Sequence, residues 1–162
     1  MNNFNVKQIG HIEVNENQFL IRLNKDYIPA LKGLKEFSYI QILWWFNKAD
    51  TLEKRNLLIE KKPYSNGPDE LGVFATRSPF RPNPIALTTV YVLDVDDQNG
   101  IIFISYCDAI HNTPVLDIKP YIPSIDRVKT LEMPMWCSHW PDSYETSGEF
   151  DWENEFNFEE NC

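Results

Sequence analysis

Eleven prolines punctuate this chain between Pro29 and Pro141, and they constrain its fold more than any other feature. Each removes a backbone donor and fixes φ, so helix is expected to be scarce. The only short helical candidate with a usable start is Pro29 to Leu34, a single turn that should end at or near Gly33. Most of the remainder reads as strand. Runs rich in β-branched and aromatic residues occur at Gln8 to Val14, Phe19 to Leu23, Phe37 to Phe46, Leu57 to Lys61, Ile85 to Asp94 and Ile101 to Cys107. Asn15-Glu16-Asn17 and Asp96-Asp97-Gln98-Asn99-Gly100 separate pairs of these runs and read as the turns of two antiparallel hairpins. Short strands joined this way close into a barrel or a sandwich, so the expected class is mostly β with few short helices. The nearly all-apolar run Ile40 to Phe46 is expected to be buried on both faces or to face a partner subunit.

A chain of 162 residues with 43% hydrophobic content can bury one sizeable core. No stretch approaches the roughly 18 uninterrupted apolar residues of a membrane span, and Met1 to Asn5 lacks the pattern of a signal peptide, so a cytoplasmic location is expected. Cys107, Cys137 and Cys162 form an odd set without CxxC spacing, and His11, His111 and His139 share no ligand spacing. Neither a disulfide framework nor a metal site is expected. The net charge of −9 is unevenly placed: up to residue 130 fifteen basic and fifteen acidic residues cancel, and nine acids after that point carry the whole excess. Nucleic-acid binders commonly present a basic face to the phosphates, and composition alone supplies none here. The chain is divided accordingly into a body, residues 1–130, and an aromatic, acidic extension, residues 131–162. Phe150, Trp152, Phe156 and Phe158 are interspersed in that extension, which favours docking of parts of it over a fully solvated tail.

Chemistry concentrates in two segments. In Gly72 to Leu87, three prolines at 79, 82 and 84 stiffen a loop that carries Arg77, Arg81, Thr76, Ser78 and Asn83, a frame suited to a polar ligand. The plain alternative is a Pro-rich connection with surface arginines. In Asp108 to Arg127, Asp108, His111, Asp117, Lys119 and Asp126 stand among apolar residues, so some of these charges are expected to be paired.

The strings GVFATRSPFRPNPIALT and NTPVLDIKPYIPSIDR, preceded by ALKGLKEFSYIQILWWF, resemble the TsaA-like (TrmO) family of S-adenosylmethionine-dependent methyltransferases over about Ile9 to Arg127. The resemblance implies a single-sheet antiparallel or mixed β-barrel, a homodimer, and S-adenosylmethionine as cofactor. Carried over by position, cofactor-binding residues would be Asn47, Lys48, Arg77, Leu87, Tyr106, Cys107, Asp108 and Ala109. Arg81, Asn83 and Lys119 are the substrate-binding candidates, and Asp108, His111, Asp117 and Asp126 the unranked candidates for a base. The substrate it implies is a threonylcarbamoyl-modified adenosine in tRNA. The chain departs from the family at Asn47, where His is common, at His111-Asn112, where Asp-Gly is usual, and at Ala86, where Gly is frequent. It also lacks the insertion of longer members between His11 and Leu23, and an acidic extension stands where they carry an RNA-contacting one. A methyltransferase of another small-molecule or protein substrate, and a non-catalytic module that binds the same cofactor, are the competing readings.

Overall fold

A computed structural model describes residues 4–16 and 18–157. Asn17, Phe158, Glu159, Glu160 and Cys162 lie outside the described residues. The strands are β1 (Gly10–Asn15), β2 (Gln18–Leu23), β3 (Tyr39–Trp45), β4 (Ile59–Lys61), β5 (Glu70–Gly72), β6 (Ile85–Asp96), β7 (Ile101–Ile104) and β8 (Thr113–Pro120). Short helices α1 (Leu52–Arg55), α2 (Pro123–Asp126) and α3 (Tyr144–Ser147) accompany them. The chain divides into two compact units, one formed by residues 1–50 and 84–127, the other by residues 51–83 and 128–162. No helix among the described residues is long and apolar enough to cross a membrane.

The first unit is a closed antiparallel barrel in the order β1-β2-β7-β6-β3-β8. Period-two alternation builds its core: Ile12, Ile21, Ile40, Ile42, Val90, Ile102, Ile104 and Val115 are all 0–1% exposed. β-Branched side chains fit such a pleated, enclosed surface. Strand β3, expected to be buried on both faces or to face a partner subunit, alternates: Ile40, Ile42 and Trp44 face the core, and Gln41, Leu43 and Trp45 are half-buried on the other side, so within one chain it is enclosed on one face. Strand β8 was not expected. Its prolines 114 and 120 and its charges at 117 and 119 mask a strand that pairs with β1 on one side and β3 on the other. The expected helical turn lies earlier than its sequence signals: a 3-10 helix spans Lys25–Leu31 with Pro29 inside it, and Gly33, at φ 86°, opens a second 3-10 turn.

Barrel closure ends in a tight corner before β8. Asn112 adopts φ 66°, its N–H donates to Ile12 O at 2.8 Å, and Val14 N–H donates to His111 Nδ1 at 3.2 Å. The imidazole thus takes over from the β8 backbone, whose pairing with β1 covers Gly10 to Ile12. Left-handed backbone is the region that glycine occupies freely and asparagine tolerates better than other side chains, which accounts for an asparagine at position 112.

In the second unit β4 and β5 form a two-stranded sheet, and residues from the C-terminal segment pack on residues near it. Tyr64, Trp136, Trp140, Trp152 and Phe156 make a chain of ring contacts at 5.1–5.6 Å. Ser65 N–H donates to Glu155 O at 2.9 Å, and Asn157 Nδ2 donates to Lys62 O at 2.7 Å. Buried Glu155 receives His139 Nε2 at 2.6 Å and the Trp140 indole N–H at 3.0 Å. These contacts, His139 foremost and Trp140 next, hold its carboxyl below its ordinary value of 4.5. The aromatic extension therefore docks through residue 157.

Two tests follow from these local features. Asn112→Gly should be tolerated, whereas Asn112→Val should destabilise the chain by about 1–2 kcal/mol, the cost of left-handed backbone for a side chain, as read by urea unfolding. Because the Glu155 carboxyl is depressed in the folded state, its stabilising contribution is complete above pH 4.5 and is lost as pH falls through the lower folded value. Tryptophan fluorescence should report loosening of the extension in that acid window, and Glu155→Gln should remove the carboxylate-dependent part of the transition.

Candidate functional site

The barrel unit brings two residues of the second chemical segment, Asp108 and Asp117, towards the start of β6. In β3 and β6 the register places Trp44 opposite Ala86 and Leu43 opposite Leu87. Alternation then sends Leu87 and Thr88 to opposite faces of the sheet. Leu87, 41% exposed, lies in an outer-face row with Leu43 and Asp117, which are paired across β3 and β8. Beside that row Ile9, Leu43, Ile85, Leu116 and Asp117 help to line a depression of about 390 Å3. Thr88 turns the other way, where its hydroxyl lies 3.0 Å from Trp44 Nε1 and 3.2 Å from Asp108 Oδ1.

Tyr106 to Ala109 connect β7 to the corner before β8 and alternate in exposure. The Tyr106 ring is 71% exposed and stands edge-on to Phe19 at 5.3 Å, while Cys107 is buried, Asp108 exposed and Ala109 buried. Burial pushes the Cys107 thiol up to about 12, so near neutral pH it is a protonated, unreactive S–H. Two burial anchors thus hold a short connection that offers an aromatic face and a carboxylate to solvent.

The other candidates have structural partners. Asp117 Oδ2 pairs with Lys119 Nζ at 2.6 Å, and its Oδ1 accepts from Ile118 N–H at 2.9 Å. Asp126 Oδ2 accepts from Ile122 N–H at 2.7 Å and closes the turn at the start of α2. His111 accepts from Val14, as above. Asn47 and Lys48 are exposed in the turn after β3, where Ala49 N–H donates to Phe46 O at 2.9 Å.

Arg77, Arg81 and Asn83 belong to the second unit. Their loop is braced from within: Thr76 Oγ1 donates to Val73 O at 3.0 Å and accepts from Ser78 N–H at 3.2 Å, and Ser78 Oγ accepts from Phe80 N–H at 3.2 Å. Arg81 donates from Nη2 to Val73 O at 3.1 Å and from Nη1 to Thr76 O at 3.5 Å, so this guanidinium ties together its own loop. Arg77 and Asn83 are exposed. Burial raises the Tyr64 hydroxyl above its usual range, and a hydrogen bond to the Arg77 backbone opposes the shift.

Each histidine has a different partner, Glu13 for His11, Val14 N–H for His111 and Glu155 for His139. Among the described residues no group of three or more His, Cys, Asp or Glu could hold a metal ion. Sequence reasoning singled out Asp108 but missed Thr88 and Trp44, whose polar atoms reach it directly and through one intermediary. Thr88 reads as an ordinary β-branched strand residue and Trp44 as one more apolar residue of β3. Only the strand register turns the two into a hydrogen-bonded pair.

Comparison with known proteins agrees with this architecture. A probable S-adenosyl-L-methionine-binding protein of Methanocaldococcus jannaschii is 42% identical over 75% of this chain and 94% of its own length. A tRNA (adenine(37)-N6)-methyltransferase of Rattus norvegicus is 44% identical over 64% of this chain, which spans 23% of that enzyme. A crystal structure of TrmO superposes with a TM-score of 0.65 at 28% identity, covering 81% of this chain and 63% of that one. The family model of the tRNA-methyltransferase O N-terminal domain matches residues 7–127. With a closed six-stranded barrel and a match across three quarters of its length, the chain belongs to the tRNA-methyltransferase O N-terminal domain family.

Proposed function

We propose that this protein is an S-adenosylmethionine-dependent methyltransferase acting on an adenosine of tRNA, the threonylcarbamoyl-modified one that its motifs imply. The observation that carries the reading is the Tyr106-to-Ala109 connection, exposed at Tyr106 and Asp108, in a barrel whose relatives are named for binding this cofactor or for methylating tRNA. The exposed ring of Tyr106 suits a purine and the exposed carboxylate of Asp108 suits hydroxyl or amine donors, so the residues present fit a nucleoside. The bound cofactor supplies an electrophilic methyl group on a sulfonium.

The protein's part in an in-line methyl displacement is chiefly to orient donor and acceptor and to exclude water, which needs little acid–base power. Anchoring by buried Cys107 and Ala109 limits motion of the connection and suits that task. If a proton must leave an amide-like nitrogen, Asp108 is the best placed of the four candidates. Asp117 and Asp126 already serve Lys119 and Ile122, and His111 already serves Val14, whereas the contacts of the exposed Asp108 carboxylate, from Thr88 and Cys107, both fall on Oδ1 and leave Oδ2 to face a ligand.

Isothermal titration of the purified chain with S-adenosylmethionine and with S-adenosylhomocysteine should show saturable binding. Tyr106→Ala should weaken it by about 1–3 kcal/mol, the range for one lost base–aromatic stack, and wild-type affinity in that variant would remove Tyr106 from the site. In the same preparation the protein is expected to sediment as a homodimer, and a monomer mass would set that part aside. For the substrate, tRNA nucleosides from cells with and without the gene should differ by one methylated threonylcarbamoyl-adenosine. An unchanged profile would direct attention to another acceptor, an outcome that the nine acids after residue 130 would favour.

A further inference from the structure

An indole N–H can donate but cannot accept, so the 3.0 Å contact of Trp44 Nε1 with Thr88 Oγ1 fixes the hydroxyl as acceptor there. The hydroxyl's single proton is then available for its other neighbour, Asp108 Oδ1, at 3.2 Å. Cys107 Sγ lies 3.8 Å from the same oxygen and, being protonated, donates to it as well. Two donors thus converge on Oδ1. Trp44 is 3% exposed and Cys107 1% exposed, and the β3–β6 register locks Trp44 in place, whereas Asp108 is exposed. The result is a one-directional polar chain from the barrel core to a surface carboxylate.

We propose that Thr88, oriented by Trp44, is a positioning residue: it holds the Asp108 carboxylate in one rotamer by Oδ1 and so presents Oδ2 to a hydroxyl or amine donor of the bound nucleoside. This rests on the methyltransferase reading and adds to it a specific support for the ligand-facing group. An unsupported surface aspartate would rotate among its staggered states, and ordering it on binding would cost affinity. With the rotamer already set, that cost is met at folding.

Two substitutions at position 88 separate the hydroxyl from the shape. Thr88→Val keeps the branching and removes the hydroxyl, and Thr88→Ser keeps the hydroxyl and removes the methyl. Titration of the full chain with S-adenosylhomocysteine should show binding weakened about tenfold in Thr88→Val and restored to within about twofold of wild type in Thr88→Ser. A packing role predicts the reverse order, and that order, or wild-type affinity in Thr88→Val, overturns the proposal. In a double-mutant cycle, Thr88→Val and Asp108→Asn should be strongly non-additive, and additive losses also overturn it. Should Thr88→Val fail to fold, as thermal unfolding would reveal, Trp44→Phe is the second probe. It removes the donor at the far end and should weaken binding about threefold, and unchanged affinity counts against the relay. Absence of binding by the wild-type chain would bring down the cofactor reading and the positioning role together; binding by wild type with no effect at position 88 would bring down the positioning role alone.

Discussion

Closure of the β-sheet is the constraint on which the barrel unit depends. A sheet of short strands leaves two rows of unpaired N–H and C=O groups at its edges, and a barrel removes both by joining them. Here the join runs through β8, which pairs with β1 over Gly10 to Ile12 and with β3 from Ile40 to Trp44 across a register shift at Leu43 and Trp44. Where the β1–β8 ladder gives out, the His111 ring accepts the next N–H and left-handed Asn112 makes the corner. The Tyr106-to-Ala109 connection lies just before this corner, so the segment proposed to bind the ligand is positioned by the residues that complete the barrel.

The same closure explains how two polar groups come to lie beside an apolar core. Trp44 faces inward with Ile40 and Ile42, and burying its indole N–H without a partner would cost stability. Thr88 meets that need from the neighbouring strand, and its own proton in turn reaches Asp108 at the surface. A requirement for satisfied polar groups inside the core thereby extends to the orientation of an exposed carboxylate. The satisfaction of the core and the orientation of that carboxylate share one set of bonds.

Much of this was legible in the sequence, and the failures have physical causes. The strands from β1 to β3, with β4, β6 and β7, announce themselves by β-branched and aromatic runs, and the Asp96 to Gly100 turn by its polar residues. Strand β8 was hidden because Pro114, Asp117, Lys119 and Pro120 belong to loop vocabulary, and only its partners on both sides make it a strand. Strand β5, Glu70–Gly72, is too short to show any period. Of the candidate site, the motif from Gly72 made Leu87 a candidate and position before the NTP turn made Tyr106 to Ala109 candidates, but neither could show that Leu87 and Thr88 point oppositely. Nor could they show that Arg81 clamps carbonyls of its own loop, since a guanidinium's partners are set by three-dimensional neighbours.

The pairing of residues 62–65 with residues 155–157 has a consequence for biosynthesis. All barrel strands have been made once Pro120 has been translated, but Tyr64 gains its first aromatic neighbour from the extension only with Trp136 and its last only with Phe156. During vectorial synthesis the β4–β5 region, complete at Gly72, therefore waits until Trp136 for the first of these aromatic partners and until Phe156 for the last. A nascent or truncated chain ending before residue 136 would carry a finished set of barrel strands and an unshielded tyrosine, the kind of exposed ring on which chaperones and proteases act.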